Sequence, residues 1–267
     1  MYLSRFRINT ARPGARRLLS SPQSLHAAVM ASFPNLLPTT PTGSGAPDGR
    51  PRVLWRLDHN AAAEVFLYVV SPDRPDLTHL VEQAGWPAAA ATDPANPGWQ
   101  TRPYAALLDR LTSGTTWAFR LTANPVHHIR RKDDEPIKRT AHITPTHQMA
   151  WLLERQERCG FRICEKPDTK RLLPGGTTHK KSPHHGDRHE LLVHDQRNLS
   201  FAKPRSNNPS GRRAPVTLVA VTFDGRLEVT DPDLLRHTLV HGLGKAKAYG
   251  CGLMTLAPVP GAGEPSQ

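Results

Sequence analysis

The stretch Gly242–Gly252 reads GLGKAKAYGCG: two G-x-G pairs with five residues between them, Lys245 and Lys247 among the five. Glycine admits positive φ and a very close approach of backbone to a neighbour. A helix-ending role explains Gly242. It leaves Gly244, Gly250, Gly252 and both lysines without a reason. A dinucleotide fingerprint needs a third glycine where Lys247 stands, and it follows a strand, whereas this loop follows a helix. A phosphate-binding P-loop needs G-K-[ST], which is missing here. What remains is a loop that presents backbone N–H groups and lysines to a phosphate chain.

Proton transfer near neutral pH calls for histidine, and the chain has 14. One of them, His26, sits one turn into an expected helix, beside Leu25 and in line with Val29, Met30 and Phe33. On the residues alone it is a histidine at the edge of a packed stripe. The tract His179, His184, His185, His189 and His194 looks metal-binding at first. It lies in low-complexity sequence without a cysteine pair, and Cys159 and Cys164 do not have zinc-ribbon spacing. The expectation is a flexible insertion, no metal site and no cofactor.

The elements that must position these groups are legible in outline. Residues 2–9 alternate as a strand. Ser20-Ser21-Pro22 starts a helix that runs to about Phe33. Either Ser21 caps it with Pro22 in the first turn, or Ser20 caps it with Gln23 closing a capping box. Residues 39–50 form a turn-rich loop. RVLWRL and EVFLYVV read as strands, DLTHLVEQA as a helix and WQTRPY as a strand. That order, β-α-β-β-α-β, is the ferredoxin-like signature.

The second half begins with the strand WAFRLTANP. The helix TPTHQMAWLLERQERC follows, with Met149, Trp151, Leu152 and Leu153 on one apolar face. PVTLVAVTF and RLEVT read as strands joined by a hairpin turn at Asp224-Gly225. Asp231-Pro232 opens a last helix that reaches His241, and LMTLAPV is the last strand. The expected fold is α+β, with tandem ferredoxin-like (RRM-like, βαββαβ) domains over 1–110 and 115–260. A basic insertion spans about 166–213, and its segment HELLVHDQRNLSFAK suggests a projecting hairpin. The glycine-rich loop, 242–252, belongs to the second domain in this reading.

A net charge of +12 and a pI near 10.2 ask for a polyanionic partner, nucleic acid or an anionic membrane surface. Aromatic residues make up 6%, too few for a broad base-stacking platform. Three cysteines form no disulfide framework and fit a reducing cytoplasm. No apolar run reaches the ~20 residues of a membrane span. Residues 1–47 hold five arginines and no acid, the composition of a transit peptide. Their strand alternation and helix cap make them instead the first two elements of a fold. Between Arg155 and Arg213 there are 14 Lys/Arg against 6 Asp/Glu.

With these residues laid out, GLGKAKAYGCG resembles the glycine-rich loop of the RAMP proteins, CRISPR repeat-processing endoribonucleases. The opening MYLSRFRIN…RPGARRLLSSPQSLHAAVMASFP is similar to the N-terminus of their type I-E members, the CasE family. So are FRLTANP and KRTAHITPTHQMAWLLERQ. The resemblance covers nearly the whole chain, least in the 166–213 insertion. It implies tandem ferredoxin-like domains and metal-free cleavage of precursor CRISPR RNA within each repeat. It further implies retention of the repeat hairpin together with other Cascade subunits, and a cytoplasmic protein that is monomeric when free.

The resemblance assigns His26 as the catalytic residue, because SLHAAV matches the family position of the catalytic histidine. Such cleavage makes the 2′-OH attack the adjacent phosphate, leaving a 2′,3′-cyclic phosphate and a 5′-OH. It needs a base, an acid and cations for the developing charge. Some relatives have tyrosine one turn earlier, where this chain has Gln23, so the partner of His26 stays open. The expected RNA contacts are Arg12, Arg16, Arg17, Gln23, Arg130, Arg131, Lys138, Arg139, Arg158, Gly242, Gly244, Lys245, Lys247, Gly250 and Gly252.

Overall fold

The computed structural model describes residues 1–33, 52–61, 63–93, 97–129, 138–172, 185–201 and 216–259. The chain divides into two compact units, Met1–Asp109 with Lys247–Leu253, and Arg110–Ala246 with Met254–Gln267.

In the first unit the order is β1 (Tyr2–Ile8), α1 (Pro13–Leu19), α2 (Pro22–Met30), β2 (Leu54–Ala61), β3 (Glu64–Ser71), α3 (Thr78–Ala84), α4 (Pro87–Thr92), β4 (Trp99–Pro103) and α5 (Ala105–Leu108). The strands form one antiparallel sheet in the order β2-β3-β1-β4. The two-residue period of β1 and β3 turns Phe6, Ile8, Val65, Leu67 and Val69 to one face. There they pack with Leu25 and Val29 of α2 and with Leu80, Val81 and Ala84 of α3, all buried. Each such large side chain contributes about 1.5–3 kcal/mol.

Of the two caps open to α2, Ser21 forms it: its Oγ accepts from the Ser24 N–H at 3.3 Å, and Pro22 takes the first helical position. The helix ends at Met30, one turn short of Phe33. α1 was not expected. Its seven residues hold two arginines and bury only Ala15 and Leu18, too short a stripe to show a period.

The second unit follows with β5 (Thr116–Ala123), β6 (Val126–Ile129), β7 (Lys138–Ala141), α6 (Pro145–Leu153), β8 (Phe161–Ile163), α7 (His185–Arg188), β9 (Leu191–Phe201), β10 (Val216–Val229), α8 (Pro232–His241) and β11 (Met254–Pro258). Its sheet runs β11-β5-β10-β8, with β9 also on β10, and β6 and β7 make a separate two-stranded ribbon. Strands 4-1-3-2 of a βαββαβ unit recur in both sheets, so the fold is the expected tandem ferredoxin-like pair.

Two expectations are corrected. Asp224-Gly225 is no hairpin turn. β10 runs unbroken through it, paired with β5 on one side and with β9 on the other. Asp224 is engaged within the sheet by Arg120, and a Cβ on Gly225 would stand 2.2 Å from the Glu190 carbonyl oxygen. The glycine serves a close approach, not a turn. Correspondingly, HELLVHDQRNLSFAK is no hairpin of its own: it supplies the single strand β9, whose partner is β10.

Parts of the 166–213 span are therefore built into the unit. Lys166 Nζ donates to the Gly186 carbonyl at 2.7 Å, and Glu165 pairs with Arg171 and Arg188. Among the described residues, no helix is long and apolar enough to cross a membrane.

Candidate active site

α2 positions His26. Leu25 and Val29 anchor the helix in the core, which leaves the His26 ring half-buried at the flank of the helix. Burial alone holds its pKa below the ordinary imidazole value, favouring the neutral ring. Its Nδ1 is buried without a hydrogen-bond partner among the described residues, which leaves Nε2 as the nitrogen for an outside group.

The second half of the glycine-rich loop belongs to this same unit. Its 3-10 turn, Lys247–Tyr249, packs against α2 and β2. Positive φ at all four glycines (75°, 86°, 80° and 93° in chain order) and at Ala246 (64°) coils the loop tightly. Gly250 permits the closest approach: a Cβ there would stand 2.7 Å from the Trp55 ring. Beyond it, the Leu253 carbonyl accepts from Arg56 Nη1 at 3.0 Å. Arg56 is itself gripped by Asp58, with Nε–Oδ1 at 2.6 Å and Nη2–Oδ2 at 2.9 Å, all buried. The second half of the loop thus packs on β2, an edge strand, and its foot is tied to a buried ion pair. Sequence reading missed Trp55, Arg56 and Asp58. The only signal was a charged i,i+2 pair inside the apolar run VLWRLDH.

The other candidates are distributed. Arg12 and Arg17 line a groove between α1, α2 and α3, together with Ser24, Ala27 and Ala31. At ~100° per residue, His26 falls roughly 150° round α2 from that row, so the groove and the imidazole face different ways. Arg12 Nη1 donates to the Gly85 carbonyl at 3.2 Å, and Arg16 Nη1 to the Ala11 carbonyl at 2.9 Å. Gln23, half-buried, lies on α2 one turn before His26.

Gly242, Gly244 and Lys245 fall in the second unit, where Gly242 ends α8 and Lys245, exposed, bridges Asn124 by its backbone. Arg139 is exposed on β7, and Arg158 is exposed on the 3-10 turn Glu157–Cys159. Lys138 begins β7. Arg130, Arg131, His179 and His184 lie outside the described residues. Of the remaining histidines in the tract, His185 and His189 tilt against each other at 6.2 Å, and His194 bonds Asp224. Among the described residues no three His, Cys, Asp or Glu side chains converge as a metal site would require.

Residues 1–258 match the family model for the CRISPR associated protein. The chain belongs to the CRISPR-associated protein family. Its resemblance to the type I-E CasE members holds over nearly the whole length. The CRISPR-associated endoribonuclease Cse3 of Thermus thermophilus is 29% identical over 260 residues, 97% of this chain and all of that protein. A solved CRISPR endoribonuclease Cse3 bound to 19 nt RNA superposes with a TM-score of 0.65 at 27% identity, covering 97% of this chain and 100% of that one. Thermus thermophilus Cse3 bound to an RNA representing a pre-cleavage complex gives 0.63 at 27% identity, over 96% and 98%. In this CRISPR-associated protein the opening strand, the His26 helix and the foot of the glycine-rich loop all fall within one compact unit.

Proposed function

We propose that the protein is an endoribonuclease that cuts precursor CRISPR RNA within its repeat, beside the hairpin, without a metal ion, and that His26 is its catalytic residue. The observation that carries this reading is the pairing of a neutral-favoured imidazole with the Lys247 turn of the glycine-rich loop, packed on the same helix. The endoribonuclease name of the Thermus thermophilus relative supports it across the chain.

Neutral His26 accepts the proton of the ribose 2′-OH through Nε2. The 2′-oxygen attacks the adjacent phosphorus, the bond from phosphorus to the 5′-oxygen breaks, and that oxygen takes up a proton from water, whose hydroxide is neutralised by the proton His26 holds. The products carry a 2′,3′-cyclic phosphate and a 5′-OH. Lys247, in the same compact unit as His26, stabilises the phosphorane charge. Gln23 cannot donate as a phenol would and serves to orient the phosphate. The basic residues outside this helix, Arg139 and Arg158 among them, hold the stem through its phosphates, since an A-form major groove is too deep to read.

By the family resemblance, the protein keeps its product and joins other Cascade subunits in the cytoplasm, and it is a monomer when free. The test is the chemistry of the new ends. A repeat hairpin RNA cut in excess EDTA should yield 3′ fragments with free 5′-OH and 5′ fragments ending in a cyclic phosphate. A 5′-phosphate on the downstream fragment, or cleavage abolished by EDTA, contradicts it.

A further inference from the structure

The open face of the first sheet carries a constellation that the cleavage chemistry leaves unused. Strand pairing sets Arg7 opposite Phe66 and Arg5 opposite Tyr68, so these four side chains share the face turned away from the core helices. Gln100 and Arg102 of β4 extend the same face, opposite Arg5 and Leu3. The Arg5 guanidinium lies 5.2 Å from the centre of the Phe66 ring and donates to Gln100 Oε1 at 2.9 Å. The Arg7 guanidinium lies 5.2 Å from the ring of Trp86, which stands between α3 and α4.

The β1 and β4 side of this face is accessible, whereas Leu54, Arg56, Asp58 and Val70 on its β2 side are buried. Arg5, Arg7 and Arg102 are exposed, Phe66 and Tyr68 are half-exposed, and Trp86 is 40% exposed. Among the described residues no carboxylate pairs with Arg5, Arg7 or Arg102, whereas Arg56 on the same face is matched by Asp58. Flat rings alternating with flat guanidinium groups, and unmatched positive charge, suit a flexible polyanion with flat faces of its own. Bases stack on aromatic rings and on arginine planes, and aromatic rings on a four-stranded sheet are what stack the bases of single-stranded RNA in RRM folds. A duplex offers no free base faces. A protein partner gains little from so few apolar groups and three charges of one sign.

We propose that this face binds single-stranded RNA, with bases stacking on Phe66, Tyr68 and Trp86 and phosphates meeting Arg5, Arg7 and Arg102. The inference rests on RNA being the protein's ligand and adds a second site, for unpaired nucleotides that flank the hairpin.

The test compares, by fluorescence anisotropy, the bare repeat hairpin and the same hairpin with about eight unpaired nucleotides at each end, a length within the usual span of single-strand sites. Wild type should bind the extended RNA about tenfold more tightly, the worth of one stacked base. Trp86→Ala and Phe66→Ala should each remove most of that gain while leaving the affinity for the bare hairpin unchanged. Arg5→Gln, with its ring partner intact, should flatten the salt dependence of the gain and guards against a folding defect in the aromatic variants. No gain in wild type overturns the proposal. A gain untouched by all three substitutions also overturns it and leaves the face to a protein partner. Failure of wild type to bind either RNA removes the underlying RNA reading as well, and is thereby told apart.

Discussion

Gly250 lies so close to the indole of Trp55 that a Cβ would come within 2.7 Å of the ring, and its φ is +80°. Both facts exclude a side chain at this position. Gly250→Ala should therefore destabilise the protein by about 1–3 kcal/mol from backbone strain alone. Urea unfolding measures it, and an unchanged midpoint would mean that the loop does not adopt this path.

Below the loop, the Arg56 and Asp58 side chains are 2% and 7% exposed. Asp58→Ala leaves a guanidinium buried without its carboxylate and should cost about 3–5 kcal/mol. The double variant Arg56→Met with Asp58→Leu should recover most of that loss, because no unpaired charge remains. Equal losses in the single and double variants would contradict the assignment.

Asp224 gives a pH signature. Burial pushes its carboxyl up, but hydrogen bonds and charge from Arg120, with a smaller share from His194, outweigh burial and leave the pKa below the ordinary 3.8. A carboxyl depressed on folding stabilises the native state above its unfolded pKa, and the contribution fades as pH falls through the folded value. The stability gap between wild type and Asp224→Asn should thus be full above about pH 5 and shrink below pH 4. A gap constant from pH 3 to 6 would show that the ion pair adds nothing.

The strands of the first unit, β5 and β11 of the second, the Ser21-Pro22 helix start and the ferredoxin-like order of the first unit follow from two-residue alternation and cap chemistry, so they were legible, whereas β8, three residues long, shows no period. Asp224-Gly225 misled because a hairpin signal is local, whereas what keeps β10 straight is pairing to β5 and β9 on both edges, about which the dipeptide says nothing. α1 is too short for its period to emerge. His26 was found by resemblance, since a histidine beside Leu25 is otherwise an ordinary flank residue. The tie from Arg56 to Leu253 spans 197 positions, and no local pattern announces a contact of that range.

The lowered pKa of His26 predicts the pH dependence of cleavage. As a base, the imidazole works when neutral, so single-turnover rate should rise with pH and level off below the ordinary 6.5. A rate that instead falls as pH rises through this range would make His26 the acid.

The most direct test pairs wild type with His26→Ala on a 5′-labelled hairpin of the CRISPR repeat in excess EDTA, with binding measured in parallel. Loss of a proton-transfer group should slow cleavage about 100- to 10,000-fold, with RNA affinity unchanged. Equal cleavage rates for the two proteins would contradict the account and place the chemistry elsewhere in the molecule.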